Sequence, residues 1–169
     1  MDVRKSALVE HSAEAMFDLI EAAEHYGAFL PWCTGATIIA QRDGLLYLNS
    51  DSAQLRLRTS REELAPAVNE HTRLVAADRW IDRPTTLRLG GLDFLLQPAG
   101  PAHTPEDLVV WVPQRKLLFA GDLVFRGRIP FVGQADSGRW ITALDTLLSF
   151  DADIIVPGHG PVSAHARAD

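Results

Sequence analysis

The chain has 169 residues, 47% hydrophobic and 22% charged, the proportions of an ordinary globular domain with a real core. A net charge of −6, with 16 Lys and Arg scattered along the chain, excludes the basic face that nucleic acid or an anionic membrane would need. The single cysteine, Cys33, excludes an internal disulfide and fits a reducing compartment.

Met1 to Ser6 lacks the apolar core of a signal peptide. No run approaches the roughly 18 apolar residues of a membrane span. A cytoplasmic location without membrane partners is expected.

Residues 3–10 suit a short strand. Ser12 is a good N-cap, and Met16, Phe17, Ile20 and Ala23 recur at helical spacing, so 13–26 reads as an amphipathic helix stopped by Gly27. Phe29-Leu30-Pro31-Trp32-Cys33 is an apolar loop broken by proline, and 37–40 suits another short strand before the turn Arg42-Asp43-Gly44. Leu45 to Leu48 is a brief apolar run. A helix is expected over 52–68, with Arg56, Arg58 and Arg61 on its solvated face.

Thr86 to Leu89 alternates like a strand with one wet face, Gly90-Gly91 turns, and Leu92 to Gln97 returns. Leu108 to Val112 and Lys116 to Ala120 are apolar nearly throughout, as in strands covered on both faces. A helix over 137–150, capped by Ser137, precedes the buried strand Asp153 to Val156. The last ten residues are polar and are expected to fray. Four strands, a helix and a strand after residue 80 make an α/β layer with a helix packed on a sheet.

Three turns carry the chemistry: Pro101-Ala102-His103-Thr104-Pro105-Glu106-Asp107, Ala120-Gly121-Asp122 and Pro157-Gly158-His159-Gly160. Each places a metal-capable side chain directly after an apolar, strand-like run. Imidazole nitrogen and carboxylate oxygen bind zinc, iron or manganese, and a catalytic ion needs only three protein ligands. Water activated by such an ion is the nucleophile of hydrolysis. His103, Asp122 and His159 are therefore candidate ligands, with Asp107 a candidate to orient one of them. Gly-Asp and Gly-His-Gly are also ordinary turn chemistry, so spacing alone leaves a structural role open.

From about residue 45 to 162 the chain resembles the C-terminal half of the metallo-β-lactamase superfamily. The carrying residues are Gly100 to Trp111 around His103-Thr104-Pro105, Leu118 to Phe125 around Gly121-Asp122, and Ile155 to Val162 around Pro157-Gly158-His159-Gly160. The resemblance implies that His103 belongs to the first metal site, Asp122 bridges two metals and His159 serves the second. Glu106 departs from the family's usual glycine. The family's His-x-His-x-Asp-His motif, which should lie upstream of the helix at 52–68, is absent: His11, His25 and His71 each stand alone.

The opening, Lys5 to Phe17 and Tyr26 to Ala36, is similar to the start of the coenzyme Q-binding, START-like family that includes RatA. The long closing helix of START-like domains has no counterpart. The chain thus reads as a START-like fragment at 1–44 joined to a metallo-β-lactamase-like half at 45–169. The implied fold is a partial αββα sandwich. The implied function is a metal-dependent hydrolase with low or no activity, holding at most one ion per chain, zinc or else iron or manganese, and acting on an ester, thioester or lactam. The alternatives are a lipid or quinone module lined by Met16, Phe17, Ile20, Phe29 and Trp32, or a non-catalytic remnant. Such a remnant would associate, as a homodimer, through a sheet face bearing Leu95, Val110, Trp111 and Phe119.

Overall fold

The computed structural model describes residues 36–164. The strand at 3–10, the helix at 13–26, the loop around Pro31 and the apolar pocket residues fall outside them. In chain order the elements are β1 (Ile39–Gln41), α1 (Gly44–Leu48), α2 (Asp51–Glu63), β2 (Arg79–Ile81), β3 (Thr85–Leu89), β4 (Leu92–Pro98), β5 (Leu108–Val112), β6 (Leu117–Phe125), α3 (Ser137–Ser149), β7 (Ile154–His159) and β8 (Ser163–Ala164). The chain divides into two compact units. Among the described residues, one holds 36–38 and Ser50–Val75, and the other Ile39–Asn49 and everything from Ala76 on. No helix among them is long and apolar enough to cross a membrane.

In the first unit, α2 starts where Ser50 Oγ accepts the Ala53 backbone N–H at 3.1 Å, and Asp51 adds a favourable charge to the first turn. The helix ends at Glu63, short of the expected 68, because Pro66 disfavours helical backbone just before it and cannot donate to the ladder. Arg61 is more than a solvated charge. Its Nε donates to the Asn69 carbonyl at 2.8 Å and its Nη2 to the Thr72 carbonyl at 2.6 Å, tying down the segment that follows the helix.

The second unit contains a mixed sheet in the order β3-β4-β5-β6-β7-β8, and a separate two-stranded parallel sheet, β1-β2. The larger sheet is antiparallel except for β6 and β7, which run parallel and are linked through α3. The β3–β4 hairpin turns at Gly90-Gly91, as its alternation predicts. Helix α3 is capped by Asp136, one residue earlier than expected: its Oδ1 accepts the Arg139 N–H at 3.0 Å. Within the stretch expected to fray, Ser163 and Ala164 pair with Ile155 and Ile154.

One face of the sheet packs on α3. Ala102, Val109, Leu118, Ala120, Leu123, Ala143, Leu147 and Ala152 form the core, with Trp111 and Phe150 stacked beside them at 5.4 Å. Val109 and Leu118 are fully buried, each worth about 1.5–3 kcal/mol of transfer free energy. Register corrects two expectations. Trp111 lies opposite Leu95 and Leu118, whereas Val110 lies opposite Leu96 and Phe119. Because side chains alternate across a sheet, Leu95 and Trp111 share the α3 face, and Val110 and Phe119 share the other. Nor is β6 covered on both faces: Phe119 is 41% exposed between buried Leu118 and Ala120.

Candidate metal centre

Three strand connections bring the sequence candidates together. His103 sits in the loop from β4 to β5, which its own backbone closes. The Ala99 and Gly100 N–H groups both donate to the Asp107 carbonyl, at 2.9 and 3.2 Å. The Asp107 carboxylate accepts Thr104 N–H and Thr104 Oγ1–H, each at 2.9 Å. Asp107 thus locks the turn and does not reach the His103 ring, contrary to an orienting role on that histidine. The Asp136 N–H donates to the Ala102 carbonyl at 2.8 Å, which ties the start of α3 to the residue before His103.

Asp122 is delivered by an irregularity in β6. Gly121 pairs with Pro157 and Phe125 with His159, so extra residues of β6 bulge between these points. Gly121 takes φ of +54°, a value that glycine adopts without strain. The bulge turns Asp122 toward both histidines: His103 Nε2 lies 3.7 Å from Asp122 Oδ2, and His159 Nε2 lies 3.5 Å from Asp122 Oδ1. His159 is the last residue of β7, and its carbonyl accepts the Arg126 N–H at 2.9 Å.

The surroundings differ on the two sides. The His103 side chain is 11% exposed, and its Nδ1 is buried without a hydrogen-bond partner. Phe125 meets its ring edge-on at 5.4 Å and Trp140 lies at 5.2 Å, with the Trp140 indole N–H held by the Leu123 carbonyl at 3.0 Å. Phe125 also stacks on His159 at 5.1 Å, so one ring spaces both imidazoles. Asp122 and His159 are 40% and 41% exposed, leaving this side open to solvent. Arg128 Nη1 lies 3.4 Å from His159 Nδ1. Glu106 lies in the same loop as His103. Burial pushes its carboxyl above the usual range, with the negative charges of Asp107 and Asp43 adding to the effect against a backbone hydrogen bond.

Phe125, Trp140 and Arg128 were not singled out as site residues from the sequence. The expected strand stopped at Ala120, whereas β6 runs on to Phe125, and the place of Phe125 opposite His159 is a matter of register.

The donor chemistry is nitrogen, oxygen, nitrogen, which suits a zinc-type cation. The spacings of 3.7 Å from His103 Nε2 to Asp122 Oδ2 and 3.5 Å from His159 Nε2 to Asp122 Oδ1 run to different carboxylate oxygens, and each is a little wider than the roughly 3.3 Å between two donors of one tetrahedral ion with 2.0 Å bonds. His103 Nε2 faces Asp122, while its buried Nδ1 lacks the hydrogen-bond acceptor that a ligating imidazole usually has. Among the described residues, no three His, Cys, Asp or Glu side chains close into a ready-made metal cage. The trio meets as two pairs sharing Asp122.

Comparison with known proteins identifies the family and the fold. The family model described as the metallo-beta-lactamase superfamily matches residues 27–159. The chain is 32% identical over 83 residues to metallo-beta-lactamase type 2 of Bacillus cereus, covering 46% of this chain and 32% of that protein. It is 30% identical over 70 residues to the ribosome association toxin RatA of Pseudomonas aeruginosa, covering 40% of this chain and 49% of that one. The chain therefore spans about a third to a half of these curated relatives. Its fold is similar to that of the BLEG-1 B3 metallo-beta-lactamase, with a TM-score of 0.61 and 18% identity over 88% of this chain and 67% of that one.

Proposed function

The chain belongs to the metallo-β-lactamase superfamily, and from that premise we propose that it keeps a partial metal centre of a hydrolase, with low or no turnover. His103, Asp122 and His159 would hold a single divalent ion, zinc by donor type, with iron or manganese compatible with the same ligands. The observation that carries this reading is the carboxylate of Asp122, which offers one oxygen to each imidazole Nε2.

When bound, such an ion supplies Lewis acidity toward a carbonyl oxygen and toward water. The remaining chemistry belongs to the chain. Phe125 and Trp140 fix the His103 ring and keep bulk water from its inner edge. Asp122, half-exposed, accepts a hydrogen bond from an attacking water and holds it on the open side of the site. The substrate class is an ester, thioester or lactam. Low activity follows from the absent His-x-His-x-Asp-His motif: without its ligands a second cation has no complete set, and a two-metal clamp on the reacting oxygens is lost.

Zinc analysis of the purified chain after reconstitution tests the reading. Bound zinc that is lost in His103→Ala and weakened in His159→Ala supports it; metal-free wild-type protein refutes it.

The likeness to RatA supports a second reading, a START-like lipid or quinone module in the N-terminal stretch. Co-purified quinone would support that reading, and a chain free of apolar ligand would oppose it. Phe119 and Ile154, 41% and 37% exposed on the sheet, support self-association of the chain. A monomer by light scattering at high concentration would oppose it.

A further inference from the structure

We infer that Arg128 competes with a cation for His159, so that His103 and Asp122 engage an ion first and His159 joins only when Arg128 withdraws. The inference rests on the metal reading proposed above and adds to it an order of engagement.

A guanidinium has only N–H donors and remains protonated at any ordinary pH. Its contact with His159 Nδ1 at 3.4 Å therefore makes that nitrogen the acceptor. A neutral imidazole has one donor and one acceptor nitrogen. The His159 proton then sits on Nε2, which faces Asp122 Oδ1 at 3.5 Å. A cation needs the lone pair on that same Nε2. To release it the proton must move to Nδ1, where it would meet a second N–H donor from Arg128. The tautomer fixed by Arg128 is thus the one that cannot ligate. His103 carries no such lock, because its Nδ1 has no partner.

Charge acts in the same direction. Among the described residues no carboxylate forms an ion pair with Arg128, whose guanidinium stands against the far side of the His159 ring. A cation at His159 would feel it at short range. Arg126, two residues earlier, carries the same charge, but its Nη1 is held by the Val162 carbonyl at 3.1 Å and provides a control.

The experiment measures zinc affinity by chelator competition in the wild type, Arg128→Ala, Arg126→Ala and the double variant Arg128→Ala/His159→Ala. Nitrogen-15 NMR of the metal-free proteins reads the His159 tautomer. Arg128→Ala is expected to bind zinc about tenfold tighter, the scale on which groups at a ligand's far nitrogen tune a site. Arg126→Ala should stay close to wild type, and removing His159 from the Arg128→Ala protein should cancel the gain. The tautomer should be Nε2–H in the wild type and mixed without Arg128. Equal or weaker zinc binding in Arg128→Ala, or a tautomer that ignores the substitution, overturns the inference and leaves the metal reading intact. No zinc in either protein overturns both.

Discussion

Gly158 lies so close to Asp122 that a Cβ at position 158 would collide with Asp122 Oδ1 and press on the Gly121 backbone. The carboxylate can face both histidines only because β7 lacks a side chain there. Gly158→Ala should therefore push Asp122 off its position, costing about 1–3 kcal/mol, the usual penalty for inserting a methyl into filled space. Thermal denaturation would read that loss. Zinc affinity should fall beyond what the lost stability explains. Unchanged values of both would refute the close approach.

Trp140 serves the core and the site together. Trp140→Phe keeps an aromatic ring near His103 but leaves the Leu123 carbonyl without its indole donor. Leu123 is buried, so the expected cost is about 1–3 kcal/mol. For a chain of this length each kcal/mol lowers Tm by roughly 2–4 °C. A Tm equal to wild type would show that the hydrogen bond contributes nothing.

Asp107 anchors the His103 loop through Thr104. Asp107→Ala strands the Thr104 N–H and hydroxyl and should cost about 1.5–3 kcal/mol, the range for hydrogen bonds to a charged group. Asp107→Asn, which keeps an acceptor, should cost less. Urea denaturation of the two variants separates them, and equal midpoints would contradict the anchoring role.

The histidine and aspartate candidates were legible because each lies in a turn marked locally by glycine or proline. The β3–β4 hairpin was legible for the same reason, with alternation on both sides of Gly90-Gly91. What failed depends on distant partners. Leu95, Val110, Trp111 and Phe119 look alike in sequence, yet a one-residue difference in register sends them to opposite faces. Strands β2 and β8, of three and two residues, are too short to show a period. Arg128 reaches His159 across 31 residues of chain, and no local pattern announces it.

Glu106 ties stability to pH. Burial and the charges of Asp107 and Asp43 raise its folded carboxyl above the ordinary value. An acid raised in the folded state favours folding while protonated. Its contribution is complete below the unfolded carboxylate pKa and is lost as pH rises through the folded value. Glu106→Gln should therefore raise Tm at pH 7, modestly because the side chain is partly screened by solvent. The gain should vanish near pH 4. A gain independent of pH would contradict the assignment.

The shared carboxylate of Asp122 is where the metal reading stands or falls. Zinc stoichiometry of the reconstituted wild type beside Asp122→Ala, both confirmed folded by circular dichroism, is the direct measurement. The predicted result is one zinc per wild-type chain and none in Asp122→Ala. A metal-free wild type, or full zinc retention in folded Asp122→Ala, would contradict it.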